Sequence, residues 1–461
     1  MLAAAFLRLS QLWAPLWNDE AFVWVVSGKP LAAWWAALAG DVHPPLWYFV
    51  ERLVYQVNPS PLALRLFPFV CGLAVVGLGA KAARVMGAPL SAQVLTAAML
   101  ALMPQQIYYS AEVRMYSLLA ALYLAGVWCV LSRRWGWLTV CLALMLYTHH
   151  YGWIYAAVLG ALALWVGRDQ WWRVLISGGM AMVAYLPILP MTIYQLSHTG
   201  SYWAGLNIES LPITLALWFA GAPLNRPGLG GALIMASLVV VFAVTWRAIV
   251  RRHYALLWLT AGPLLIALAL SPFKNVWLTR AFIGSGAMAA VLLAVEFYTT
   301  RRATWAAAGL ILPMLAVGDL TDRTRPAIND RYATPTVAAY LRSDLRPGDA
   351  VLCLGSAAWM ELQPYQLPAI VSLRESGDWL ATGGLSEETR EALGISAITG
   401  EVHRIWIFAA QLPGSAFNPT IPEGAVKIAS FTGTETIFKS NLYLLEDLYG
   451  YTRQTQTANA P

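Results

Sequence analysis

Apolar stretches of about 16 to 22 residues recur along this chain, parted by short polar loops, and no other feature narrows its fold so far. A hydrocarbon layer about 30 Å thick takes about 20 helical residues to cross. Within it a helix satisfies its own backbone donors and acceptors, whereas a transmembrane barrel gives weaker alternating segments of about ten residues. With 59% hydrophobic and 12% charged residues, a 461-residue chain is also too apolar for a soluble globule. The predicted fold class is a polytopic α-helical membrane protein.

Hydropathy places spans at Met1–Trp17, Leu62–Val85, Ala92–Tyr109, Tyr116–Leu131, Trp135–Thr148, Gly152–Val166, Val174–Tyr194, Leu229–Trp246, Ala255–Leu270, Ala281–Tyr298 and Thr304–Val317, about eleven transmembrane helices in all. Met1–Trp17 has no basic start and small-residue cleavage site of a removable signal peptide. It is short, and Arg8 interrupts it, so either the true start lies upstream or the helix tilts with Arg8 snorkelling to the surface. Pro44–Val57, which carries Glu51 and Arg52, reads as a juxtamembrane or re-entrant helix, and the eleven-residue Leu211–Gly221 as a helix lying against the membrane.

The net charge of +6 is spread as basic pairs between apolar spans, which does not suit nucleic acid. Lys81/Arg84, Arg133/Arg134, Arg168/Arg173, Arg247/Arg251/Arg252 and Arg301/Arg302 all fall on one side, which the positive-inside rule makes cytoplasmic. The opposite side receives Asp19, Glu20, Asp41, His43, Glu112, Arg114, His149, His150, Lys274 and Arg280. The domain plan is therefore 1–318 membrane-embedded, with 18–61 a first extracytoplasmic loop holding juxtamembrane helices, then a C-terminal extracytoplasmic α/β domain over 319–451 and a disordered tail over 452–461. In that domain Pro335–Ser343 and a segment starting at Ser386 read as helices, and Ala350–Leu354, His403–Ala409 and Asn441–Leu445 as strands. No dinucleotide, P-loop or zinc spacing appears in it. The four cysteines imply no disulfide framework.

Chemistry-bearing residues cluster on the less basic side. Asp19 and Glu20 are adjacent carboxylates beside an apolar span, where low dielectric raises a carboxyl pKa towards general-base range. Helical neighbours point about 100° apart, so one is expected to be catalytic and the other structural. Asp41, His43 and Pro44–Pro45 precede a helix whose first N–H groups and dipole suit a phosphate beside an imidazole. Glu112 and Arg114 share one short loop, and the planar fork of Arg114 matches a phosphate. His149, His150 and Tyr151 form an interfacial cluster, with a zinc site as the lesser alternative; two consecutive histidines without a matched carboxylate are not a recognised ligand pattern, so no metal site is assigned. Lys274 and Arg280 are cations on the side where cations are otherwise sparse. For each motif the plain alternative is a solvated loop, a surface ion pair or a membrane anchor.

The set WNDEAF, GDVHPPLWY, ALRLFPFVCGLAVV, YYSAEVRMYSLLAAL and the Arg280 region, in this order, resembles the GT-C superfamily of integral-membrane glycosyltransferases. The branch it resembles holds the protein O-mannosyltransferases and the aminoarabinose transferases. The likeness covers roughly the first 150 residues well and the later helices loosely.

The resemblance implies an inverting transfer of a hexosyl or pentosyl group from a polyprenyl-phosphate-linked sugar donor to an extracytoplasmic acceptor, whether protein, lipid or polysaccharide. It implies no cofactor beyond that lipid substrate, no nucleic acid, and a multi-pass protein of a bacterial cytoplasmic membrane. By the same likeness Asp19 is the base, Glu112 the second acid, and Arg114 and Arg280 stabilise the departing lipid phosphate. His43 stands where the aminoarabinose branch has a lysine, while the mannosyltransferases also show HPP, which leaves the sugar open. The rival class is a lipid-linked sugar flippase or transporter, which would carry ionisable groups in mid-span and paired broken helices; Glu296 is the one acid of that kind.

Overall fold

The computed structural model describes residues 1–198, 206–221, 228–297, 308–309, 311–319, 333–374, 402, 404–411, 425–432 and 439–445. They form two compact units. The first comprises Met1–Trp13, Val42–Val54 and Leu62–Thr324, the second Ala14–Asp41, Tyr55–Pro61 and Arg325–Pro461.

The first eight helices are α1 (Leu2–Leu9), α2 (Asn18–Ser27), α3 (Leu31–Ala39), α4 (Leu46–Val57), α5 (Pro61–Val85), α6 (Leu90–Leu102), α7 (Pro104–Tyr109) and α8 (Tyr116–Leu131). There follow α9 (Trp135–Thr148), α10 (Gly152–Val166), α11 (Trp171–Tyr185), α12 (Leu189–His198), α13 (Ser210–Ala220), α14 (Leu229–Val250), α15 (Tyr254–Leu270) and α16 (Ile283–Phe297). Among the described residues four helical stretches, Pro61–Val85, Arg168–Ser197, Gly231–Val250 and Thr279–Phe297, are long and apolar enough to cross a membrane; six shorter apolar helices accompany them. The protein is a multi-pass membrane protein with a small C-terminal sheet.

Three expected spans differ. Met1–Trp17 is not one helix: α1 has 8 residues, and the chain turns at Ser10. Arg8 does not snorkel. It is buried and donates to the carbonyls of Ala4 at 2.9 Å, Ala101 at 3.1 Å and Leu100 at 3.1 Å. Two of those are the orphan carbonyls that close α6, so the guanidinium caps a helix end carrying partial negative charge. Ala92–Tyr109 is split at Met103, whose extended backbone (φ −62, ψ 120) precedes Pro104; a proline has no N–H to continue the ladder and excludes the helical conformation from the residue before it. Val174–Tyr194 spans α11, a short 3-10 turn at Leu186–Ile188 and α12, where Pro187 interrupts the regular pattern. The span at Thr304–Val317 lies partly outside the described residues; 311–319 are helical.

In the second unit, α17 (Thr334–Asp344) and α18 (Ser356–Leu362) accompany strands β1 (Asp349–Leu354), β2 (Ile370–Arg374), β3 (Arg404–Gln411), β4 (Val426–Thr432) and β5 (Lys439–Leu445). The sheet order is β2-β1-β3-β5-β4, with β1 parallel to both neighbours and β5 antiparallel to both of its own. Leu352, Leu354, Ile405, Ile407 and Ala409 form its apolar core. The Arg404 guanidinium meets the buried Asp349 carboxylate at 2.6 Å, and Trp406 Nε1 donates to the same oxygen at 3.2 Å. The helix expected from Ser386 and the tail 452–461 lie outside the described residues.

Candidate active site

The sequence candidates divide between the units. His43, Glu112, Arg114, His149, His150, Tyr151, Lys274 and Arg280 belong to the first; Asp19, Glu20 and Asp41 belong to the second.

In the first unit a polar cluster forms where three connections meet: the turn before α4, the loop between α7 and α8, and the turn between α9 and α10. The rings of His43 and His149 stack 4.8 Å apart at 35°. Tyr116, in the first turn of α8, lies 5.8 Å from the His149 ring, and the guanidinium of Arg280 sits 5.5 Å from the centre of the Tyr116 ring. His43, His149, Glu112 and Arg114 are all buried. Burial, followed by the positive charge of Arg114, holds His43 well below the ordinary imidazole value; burial, then His150, Arg114 and Arg280, does the same for His149. Both rings are therefore neutral at physiological pH.

The tautomer of His149 follows from one contact. Its Nδ1 accepts the backbone N–H of Tyr151 at 3.0 Å, so the neutral ring carries its proton on Nε2. Nε2 of His149 and both nitrogens of His43 are buried with no hydrogen-bond partner among the described residues. A buried donor without a partner is costly, and an anion bound beside two guanidiniums would satisfy it. A divalent metal ion would meet those same two guanidiniums as repulsion, and among the described residues no three His, Cys, Asp or Glu side chains converge as a metal cage would require.

The surrounding helices hold these groups in place. Tyr151, at the start of α10, accepts the N–H of Leu278 at 2.9 Å and donates to the carbonyl of Val276; Tyr155, one turn on, donates to Ala281 O at 2.8 Å and accepts from Gly284 N–H at 3.1 Å. Two tyrosines of one helix face thus clamp the segment that bears Arg280. Gln195 of α12 donates to His43 O at 3.0 Å. The loop of Glu112 and Arg114 rests on α5, where a Cβ on Gly72 would come within 2.2 Å of Ser110 Cβ; Ser110 Oγ itself donates to Gln106 O at 2.7 Å and Ile107 O at 2.8 Å. His150 is half-buried and pushed down to about 4 by burial, with Gln195 opposing and Lys274 adding to the effect. Lys274 Nζ donates to Leu196 O at 2.6 Å, at the C-terminal end of α12.

In the second unit Glu20 is fully buried, and its Oε2 accepts the Trp17 N–H at 3.2 Å, which caps the start of α2. Asn18 N–H goes to Glu361 Oε1 at 2.8 Å, and Thr334 Oγ1 donates to Glu361 Oε2 at 2.7 Å. Two carboxylates thus take the first backbone donors of α2, while Asp19 and Asp41 are each half-buried. Glu296 lies in the last turn of α16, at the basic end of the first unit, where it pairs with His253 and with Arg251 at 3.9 Å, its carbonyl accepting from Arg247 at 3.0 Å. It ties three helices together, as a structural ion pair does.

Tyr116, Tyr155, Gln195 and Glu361 were not singled out in the sequence. Tyr116 carries a signal in retrospect, two residues beyond Arg114 in SAEVRMYS; the others act over long sequence distances that a motif does not reveal.

No family model matches the chain, and no curated protein matches it. Solved structures do. The chain is similar to ArnT from Cupriavidus metallidurans in the apo state, with a TM-score of 0.62 at 12% identity over 96% of each chain. The same protein bound to undecaprenyl phosphate gives a TM-score of 0.59, again at 12% identity and 96% of each chain. An oligosaccharyltransferase from Archaeoglobus fulgidus in the apo form aligns at a TM-score of 0.47 and 11% identity, over 88% of this chain and 68% of that one. The chain thus has the fold of ArnT, in keeping with the resemblance in the sequence.

Proposed function

We propose that the protein is a polyprenyl-phosphate-sugar-dependent glycosyltransferase working with inversion. The observation that carries this reading is the group made by two buried neutral imidazoles, His43 and His149, with the buried guanidinium of Arg114 and the half-buried one of Arg280, in the first unit of a chain whose fold is shared with a protein crystallised with undecaprenyl phosphate. The acceptor hydroxyl attacks the anomeric carbon from the face opposite the lipid phosphate. The bond from that carbon to the phosphate oxygen breaks with its electron pair, and the hydroxyl proton passes to a carboxylate. Arg114, Arg280 and the Nε2–H of His149 stabilise the charge that develops on the leaving phosphate. Asp19 is the base, Glu112 the second acid, and Glu20 supports α2.

Two guanidiniums in place leave no need for a metal, so a chelator should not slow the reaction. With the basic loops inside, the polar cluster, at the opposite end of α9 from Arg133 and Arg134, and the C-terminal α/β unit face outward from the cytoplasmic membrane. The sugar and the acceptor class, protein, lipid or polysaccharide, are fixed by contacts that the His43 position leaves open.

The test is the Asp19→Asn protein with labelled polyprenyl-phosphate sugars and an envelope extract as acceptor. It should bind the lipid as the wild type does and release no polyprenyl phosphate. Wild-type turnover by this variant would remove Asp19 as base.

A further inference from the structure

A second polar feature lies at the other end of α9. An open groove of about 580 Å³ runs between the start of α9 and the first three turns of α11. Trp135 and Ser177 form its floor, with Ser177 Oγ donating to Trp135 O at 2.8 Å and Trp135 Nε1 to Gln170 at 2.8 Å. Its walls are Trp172, Ile176 and Met180, which are 48%, 56% and 56% exposed. Arg133 and Arg173 stand at its rim. Arg133 is aimed by Asp169 at 2.7 Å and by Val166 O at 3.0 Å. Arg173 lies 5.0 Å from the Trp172 ring and makes no hydrogen bond or ion pair among the described residues.

We propose that this groove binds the headgroup of an anionic phospholipid. Charge complementarity selects the phosphate, since two arginines outweigh the single Asp169 at the rim. The exposed tryptophan, isoleucine and methionine suit acyl chains better than they suit water. Basic pockets between membrane helices bind anionic lipids in this way, and arginine beside tryptophan is typical of the interfacial depth where headgroups sit. The groove is separate from the candidate active site: α9 runs 14 residues, about 20 Å, from Trp135 to Thr148 before His149 is reached.

Native mass spectrometry of the purified protein with phosphatidylglycerol and with phosphatidylcholine reads this out. The wild type should retain phosphatidylglycerol selectively, and the paired change Arg133→Gln with Arg173→Gln should weaken that retention by about tenfold or more, while Lys at both positions preserves most of it. Gly136→Leu supplies a steric arm. A Cβ on Gly136 meets nothing within 4 Å, so a side chain there starts in open space at the groove, and leucine should displace the lipid with the melting temperature kept. Equal retention of the two lipids by the wild type, or full selectivity in both the double glutamine variant and Gly136→Leu, would overturn the proposal.

Discussion

His149 shows how much a single contact decides. Because Tyr151 N–H occupies its Nδ1, the ring offers a donor at Nε2 and nothing else to a lipid phosphate. His149→Phe keeps the ring stacking on His43 and Tyr116 but deletes the donor, and kcat/KM should fall by about 10²-fold. His149→Gln returns an N–H near the same place and should recover part of it. Arg280→Lys keeps a charge but loses the planar fork, so steady-state kinetics should show a loss of about tenfold or more, with Arg280→Ala lower still.

The same residues set a pH dependence. The folded pKa values of His43, His149 and His150 lie below the unfolded value near 6.5, so the folded state binds fewer protons than the unfolded one. Stability is full above about 6.5 and declines as pH falls through that value towards about 4, the value to which burial pushes His150. Thermal unfolding between pH 7.5 and 5 should show a falling midpoint, and substituting His43 by Asn should flatten the slope. A midpoint that rises on acidification would contradict the assignment of neutral imidazoles.

At the scale of the elements, the site depends on helices that approach closely. Gly72 lets the loop of Glu112 and Arg114 lie on α5, and Gly72→Ala pushes a methyl group into Ser110 Cβ, close to backbone. The expected cost is about 1–3 kcal/mol together with a loss of turnover, because the displaced loop carries Arg114. Differential scanning and single-turnover rates would check both parts; an unchanged rate would separate the loop from the chemistry.

Much at this scale was readable from the residues. Hydropathy locates α5, α8, α9 and α10 to within a residue, because a membrane helix needs a long apolar run. It does not register a missing N–H, so the break at Met103–Pro104 was invisible to it although Pro104 was in view. Strands β1 and β3 announce themselves through buried aliphatics, while β2 and β4, at the sheet edges, and the short α18 give no such run. The side-chain caps are least legible. Arg8 reaching Leu100 O and Glu361 reaching Asn18 N–H join positions far apart in sequence, and only Glu20, three residues after Trp17, follows a local capping rule.

The whole molecule combines a helical membrane unit holding the donor-phosphate candidates with a second unit built on a five-stranded sheet. Its four cysteines, Cys71, Cys129, Cys141 and Cys353, are all buried, which leaves a quiet background for thiol labelling. Single cysteines at the exposed Arg134 and at Lys427 should react with an impermeant reagent from opposite sides of sealed vesicles; labelling of both from one side would overturn the proposed topology.

The most direct measurement is the stoichiometry of one reaction. Purified wild-type protein, given a doubly labelled polyprenyl-phosphate sugar and an envelope extract, should transfer sugar label to an acceptor and release one free polyprenyl phosphate for each sugar moved. Intact labelled lipid with every acceptor, accompanied by its movement across the bilayer of reconstituted vesicles, would contradict the account.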